Sequence, residues 1–575
     1  VTVEVSSARR VRDWAVHPVP AYLTILLLQL KVIWGLWEVR DLTRGDTAGY
    51  FGYAQAWHAE GLHNLLWSPL YVIYYGSFLT WTQDAYLATI AHRVTLVLIV
   101  AVLVLALMRH LLEPRIAWLV SAWWVALPTN HDVLYEVHLF GVLPVVLAGL
   151  VLLGPPSPWR PGLGLGVLLA GCLLVRNELV IPVALLFSAC VVYEARRRAR
   201  RVESPEGMRR RWLLAYGGPI VACALTAGVL YVRSGYVPDT FRGGLAIKHT
   251  LNVCQIYAYG YQQRHDDWQK SPWTDCQELM TATFGRPLLT MTAAFRANPS
   301  AMLEHVGWNA SLIPNGLQLL LFGRTSGRVR PGYEPMVGGS KLALGLSIAT
   351  VFFCLVGTAL ILRDWSHWSA WLRPRLWGWV LLGSVAAGSV VVMLMQRPRP
   401  AYLFSLELGL LAFIGLCGQA WLRKNQLHRR FETVFPLLQV LLILFVPRFY
   451  ASSVPVERPL RDMYRALFPY RAAIQAPDTL IVTPGYGAEV CYYLKARPRL
   501  SCRSLDYYRL RPEAEASGDW WPVLAAHGAN MIYVNEAAAA EPLMRRSLAG
   551  AREAGWEIVM WRRTRSGDRM LLRRR

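Results

Sequence analysis

The chain is built around repeated apolar runs of about 15 to 23 residues, each long enough to cross the hydrocarbon core of a bilayer as a helix. Hydrocarbon offers no partner to backbone N–H and C=O groups, so runs of this kind are restricted to helices. Composition agrees, since 54% of the 575 residues are hydrophobic and 24 are Trp. The formal net charge of +23 would ordinarily raise nucleic acid as a partner. Here the basic residues gather in short loops between apolar runs, which is a topology signal, so no nucleic acid is expected and membrane lipids are. Only six of the 60 basic residues are Lys and the chain begins with Val, which suggests a GC-rich bacterial gene.

Arg9, Arg10 and Arg12 precede the first run, 21–38, and place the N-terminus in the cytoplasm. A signal peptide is the rival reading, but the run has no small-x-small cleavage site. A second span, 85–108, returns to Arg109, His110 and Arg115, and a third, 116–127, leads to an outer loop at 128–132. The fourth, 133–153, ends before Arg160, the fifth exits to Arg176-Asn177-Glu178, and the sixth returns to a loop, 196–211, with eight Arg. After a seventh span at 212–232 comes an outer segment, 233–340, read as short amphipathic helices such as 289–297 and 301–312. Spans eight, 342–362, and nine, 376–395, flank inner Arg363, Arg373 and Arg375. Span ten runs to Trp421 and span eleven ends near Val446.

The expected fold is therefore a polytopic α-helical membrane protein of about eleven spans over 1–446, with outer loops at 39–84, 128–132 and 233–340. Residues 447–575 read as a small soluble α/β domain on the outer side, with strands at 479–482, 531–534 and 557–561. Gly485-Tyr486-Gly487 reads as a turn rather than a dinucleotide site. Most of the nine Cys lie in apolar runs, but Cys254 with Cys276, and Cys491 with Cys502, fall in outer segments where disulfides persist.

The most informative loop is the first, 44–78, reading RGDTAGYFGYAQAWHAEGLHNLLWSPLYVIYYGSF. Asp46, Tyr50 four residues later, and Ser68-Pro69-Leu70-Tyr71 follow directly on one crossing. This pattern resembles the first outer loop of GT-C glycosyltransferases, and within them the protein mannosyltransferase and aminoarabinose transferase group. The resemblance implies a multi-span enzyme that takes a sugar from a polyprenyl-phosphate carrier on the outer face, with Asp46 as catalytic base. The rival role for Asp46 is a cap on a helix starting at Thr47, and Asp41 is the reserve acid. Two departures matter: Gly49 stands where the aminoarabinose transferases carry Arg, and Trp67-Ser68 where they carry Glu-Lys. Aminoarabinose transfer itself is therefore not expected, and the phosphate cradle must come from elsewhere.

Arg44 is one substitute. A stronger one is Arg397-Pro-Arg399-Pro-Ala-Tyr402, the one basic cluster on the outer side, where Arg can hold phosphate by two parallel hydrogen bonds. His131, Asp132, Glu136 and His138 form a second polar group at the membrane edge, with Tyr50 completing the expected substrate and acceptor site. They could assist the base, bind the acceptor or hold a divalent ion, although no tight metal motif is present and no cofactor is required. Arg176-Asn177-Glu178 and Asp84 read as span-end polar residues, with Glu178 and Arg93 needing partners. The function expected is inverting, metal-independent sugar transfer to a glycan, lipid or protein acceptor at the inner (plasma) membrane of a cell envelope. The alternative is a transporter or flippase of a lipid-linked sugar, which would more often show two related halves.

Overall fold

The computed structural model describes residues 17–34, 50–55, 57, 68–82, 84–127, 136–157, 159–199, 213–233, 238–329, 331, 338–446, 480–483, 503–564 and 567–575. Two compact units result: Val1–Trp34, Asn64–Leu70 and Val94–Pro455 make the first, and Gly35–His63, Tyr71–Arg93 and Val456–Arg575 the second.

Every apolar run picked out above carries a helix. Among the described residues, five are long and apolar enough to cross a membrane: Leu87–Leu111, Asn177–Arg196, Lys341–Arg363, Trp365–Met395 and Phe404–Lys424. Pro18–Ile33, Val137–Leu153, Arg160–Leu174 and Ala215–Leu230 are shorter apolar helices, and Pro114–Ala126 and His428–Phe445 occupy the remaining two positions. The Lys341–Arg363 helix opens with the Ser340 hydroxyl accepting from the Ala343 N–H at 3.3 Å and closes on Arg363, both favourable termini. Its outer face carries Phe352, Leu355 and Ile348, each more than 60% exposed. In water each such side chain would forgo about 1.5–3 kcal/mol of burial, so this face is suited to lipid.

The helices pack closely through small residues, as membrane bundles do. A Cβ on Gly357 would lie 2.7 Å from Cys417 Cα, so this glycine lets Lys341–Arg363 approach Phe404–Lys424 backbone to side chain. A Cβ on Gly378 would meet Leu111 Cδ2 at 2.8 Å and Leu153 Cδ1 at 2.9 Å. Those three residues stand at span ends that the Arg pattern assigns to one membrane face.

The segment after the seventh span is more regular than its Gly and Pro content suggests. It forms helices Pro238–Gln262, Cys276–Phe284, Met291–Ala297 and Pro299–Phe322. The last runs for 24 residues because Pro299 sits at its tolerant first turn and the Asn298 side chain accepts from Ala301 N–H at 3.1 Å. Gly323, at φ 63°, ends it in the left-handed conformation that glycine adopts without penalty. A Cys254–Cys276 disulfide, with Cα atoms 5.5 Å apart, joins the first two helices. Around it Tyr257, Met280, Phe284, Leu289 and Met302 form a compact core. Cys491 and Cys502 lie outside the described residues.

In the second unit an aromatic cluster closes on His92. Phe51 stacks on Tyr75 at 4.4 Å, Tyr75 meets the His92 ring edge-on at 4.4 Å, and Tyr71 Oη lies 3.2 Å from His92 Nε2. The unit's sheet has strands β1 (Leu480–Thr483), β2 (Arg503–Asp506), β3 (Met531–Val534), β4 (Trp556–Thr564) and β5 (Gly567–Arg574), in the order β2-β1-β3-β5-β4. β1 pairs parallel with β2 and β3, and β5 runs antiparallel to β3 and β4. Ile532, Val534, Trp556 and Leu572 bury one face against Tyr507, Trp520, Leu524 and Met544. The Gly485-Tyr486-Gly487 turn lies outside the described residues.

Candidate active site

Four stretches that the sequence assigns to the outer face meet in the first unit. The first is Ser68-Pro69-Leu70. Ser68 is buried, takes a left-handed φ of 43°, and donates its hydroxyl to the Val175 carbonyl at 2.7 Å. A non-glycine residue held in this region is uncommon and costs backbone strain. The bond fixes the signature turn of the first loop to the residue just before Arg176.

Arg176 leaves the end of Arg160–Leu174 and turns back, its Nε donating to Glu178 Oε1 at 2.6 Å. A Cβ on Gly141 would sit 2.7 Å from Arg176 Cγ, so the glycine makes room for the arginine stem beside the Glu136–Phe140 helix. From that helix His138 presents its ring edge to Tyr402 at 5.2 Å. The Arg176 and Arg399 guanidinium carbons lie 5.6 and 5.5 Å from the Tyr402 ring centroid, each within cation–π range. Both cations lie within electrostatic reach of His138.

Beside these residues lies a small, half-open cleft lined by His138, Arg176, Glu178, Tyr402 and Ser405 together with Leu179, Pro182, Val385 and Val392. Val385, Gly388, Ser389 and Val392 repeat at helical spacing along Leu376–Met395, so the cleft extends down one face of that helix. Gly388 brings that helix against Pro182, where its absent Cβ would be 2.8 Å from Cδ. The result is amphipathic, with guanidinium, carboxylate and hydroxyl groups above an apolar floor.

Arg397 and Arg399, expected as one cradle, part company. Arg397 is 3% exposed and committed to the outer segment: Nε donates to the Pro331 carbonyl at 2.6 Å, Nη2 to Gln263 Oε1 at 2.5 Å, and its guanidinium covers the Tyr259 ring at 4.1 Å. Arg399 is the one turned to Tyr402. Tyr50, expected at the acceptor site, is buried with its ring edge-on to Tyr71 at 5.7 Å. Asp41, Arg44, Asp46, His131 and Asp132 lie outside the described residues, and Glu136 opens the Glu136–Phe140 helix. Among the described residues, no three His, Cys, Asp or Glu side chains gather as a metal site would require. In the outer segment, Asp266 and Asp267 lie exposed in a turn that follows His265. His265 Nε2 lies 2.7 Å from Glu304 Oε1, its ring stacks on Tyr261 at 4.0 Å, and Tyr261 Oη donates to Asp267. Burial opposes ionisation of Glu304, yet its bonds to Arg264 and His265 hold it below the usual carboxylate range.

What the fold and cleft define is a helical protein of membrane type, with a basic, aromatic pocket where several apolar helices end. No family model matches the chain. No curated protein matches it either. Among solved structures it is similar to the oligosaccharyltransferase of Archaeoglobus fulgidus in its apo form, at 14% identity and a TM-score of 0.39, over 90% of this chain and 69% of that one.

Proposed function

We propose that the protein is a membrane glycosyltransferase of GT-C type, moving a sugar from a polyprenyl-phosphate donor to an acceptor hydroxyl on the outer face. The observation that carries this reading is the convergence of His138, Arg176-Glu178 and Tyr402 on one amphipathic cleft, with Arg399 against the Tyr402 ring and Ser68 bonded to Val175 next to Arg176. A lipid phosphate has the matching shape, an anionic head that suits Arg176 and Arg399 and an apolar tail that suits the Val385 and Pro182 floor. Asp46 takes the proton of the acceptor hydroxyl as its oxygen bonds to the anomeric carbon. The bond from that carbon to phosphate oxygen breaks on the opposite side, inverting the centre, and the polyprenyl phosphate leaves with the electron pair. Its growing charge is offset by the two guanidinium groups. Asp132, His131 and Glu136 would hold the acceptor, and no cofactor takes part.

The Arg-rich loops support a cytoplasmic N-terminus in the inner membrane. The Cys254–Cys276 disulfide supports an oxidising, outer location for the segment that carries it. The test is reconstitution in vesicles with radiolabelled polyprenyl-phosphate sugars and extracted envelope acceptors. Label should pass to the acceptor, and Asp46→Asn should lower the rate ~10²- to 10⁴-fold while the protein still folds, since Asn caps a helix well. Movement of the intact lipid across the vesicle without transfer would make the protein a flippase and overturn the assignment.

A further inference from the structure

Arg176 and Glu178 pair with each other across one intervening residue, so their bond joins no two elements of the fold. Glu178 Oε1 accepts from Arg176 Nε at 2.6 Å and from Nη2 as well. The turn itself is fixed by other bonds. Arg176 N–H donates to the Gly171 carbonyl at 2.8 Å, Leu179 N–H to the Arg176 carbonyl at 3.2 Å, and Ser68 holds the Val175 carbonyl. A partly exposed ion pair between near neighbours adds little to stability.

Its effect on the cleft is larger. Among the described residues that line it, Glu178 is the one carboxylate and Arg176 the one guanidinium. Arg399 adds a second cation against the Tyr402 ring, and both guanidinium groups act on His138. The Cys172 thiol is a further titratable group within reach of Glu178. Two guanidinium groups alone would give the cleft two positive charges, and the carboxylate leaves it a net of one.

That difference bears on the reaction, because its donor and product differ in charge. A polyprenyl-phosphate sugar is a phosphodiester with one negative charge, whereas the polyprenyl phosphate left after transfer is a monoester carrying about −1.5 to −2 near pH 7. A cleft with two net positive charges would hold the product more tightly than the donor. One net positive charge matches the donor.

We infer that Glu178 sets the specificity of the cleft for a phosphodiester lipid over a phosphomonoester, and so lets the product leave. The inference rests on the glycosyltransferase reading above. Glu178 acts through the field around Arg176 and takes no part in bond making or breaking.

The experiment is equilibrium binding to the full chain in nanodiscs, with two lipids that share one polyprenyl tail: the phosphate monoester and its methyl diester. Glu178→Gln keeps a carbonyl oxygen for Arg176 and removes the charge. At about pH 7.5 it should tighten monoester binding roughly tenfold more than diester binding, because the lost charge acts on a ligand with nearly one charge more. Glu178→Asp keeps the charge and should keep the parent preference. At about pH 5, below the monoester's second pKa of about 6, the two lipids carry nearly equal charge and the effect of Glu178→Gln on their ratio should vanish. A purely structural pair would shift both lipids alike at either pH. Equal shifts near neutral pH, or Glu178→Asp behaving as Glu178→Gln, would overturn the role. If neither lipid binds, the inference and the donor reading fall together, whereas sugar transfer by a protein whose Glu178→Gln variant keeps the parent preference removes this inference alone.

Discussion

Arg397 and Arg399 are two residues apart in a motif that reads as one basic patch, yet their neighbours give them different work. Arg399→Ala removes a cation beside Tyr402 and should lower turnover by ~10²- to 10³-fold, with weaker donor binding. Arg397→Ala leaves the buried Pro331 carbonyl without this donor, at about 1–3 kcal/mol, so it should register first in melting temperature. No spacing rule could have separated the two, because Gln263 and Tyr259 come from a helix distant in sequence. Arg176 and Glu178 were visible as charges flanking an apolar run, but their meeting with Tyr402 was not. His305 adds a pH dependence: burial, then Arg264 and Arg397, lower its pKa to about 4. The bond to the Met395 carbonyl and, less, Glu304 act in the opposite sense, and the Tyr257 ring packs beside the imidazole at 5.5 Å. Between the usual 6.5 and 4 the unfolded chain binds a proton that the folded chain does not, so this contribution is full above 6.5 and is lost as pH falls toward 4. The loss should approach about 3 kcal/mol, and His305→Asn should flatten the melting-temperature profile across that window.

At the scale of elements, helices were legible and strands only partly so. Apolar runs of membrane length leave helix as the one internally bonded choice, whereas a strand needs neighbours that local sequence does not name. Met531–Val534 is uniformly apolar and buried, and it was read to the residue. β5 was missed because Arg569, Arg573 and Arg574 interrupt Met570-Leu571-Leu572, although β5 lies between β3 and β4 in the sheet. Close helix contact, too, depends on single glycines that no periodicity flags. Gly357→Leu should push Lys341–Arg363 off Phe404–Lys424 and lower yield and melting temperature, while Gly345→Leu, with nothing near its missing Cβ, should be tolerated. The Cys254–Cys276 link spans 22 residues of sequence, and restricting the unfolded chain over that length is worth about 3 kcal/mol. Cys254→Ser with Cys276→Ser should therefore melt earlier, and the loss should show first as faster hydrogen exchange in Cys276–Phe284.

Contacts across the first unit bear on how the whole chain is threaded. Trp118 Nε1 donates to Thr24 Oγ1 at 2.9 Å and its ring meets Phe435 at 5.8 Å, joining residues near the cytoplasmic starts assigned to spans one, three and eleven. Arg115 pairs with Glu432 at 3.0 Å near that same end. Toward the other end, Lys31 Nζ lies 2.5 Å from the carbonyls of both Ile443 and Leu444. Pro18–Ile33 and His428–Phe445 therefore run in the same direction, as the odd number of crossings expected from the sequence requires of its first and last spans. In the topology proposed from the Arg pattern, 196–211 is inside and the chain that follows Val446 is outside. Single Cys residues placed in a chain lacking its free cysteines read this out with an impermeant maleimide. Asp132→Cys, Asp266→Cys and Trp561→Cys should label in intact cells, and Arg209→Cys only after the membrane is opened. A Trp561 site that labelled only in opened cells would put the tail beside the N-terminus, break the odd count, and remove the outer-facing C-terminal unit from the proposal.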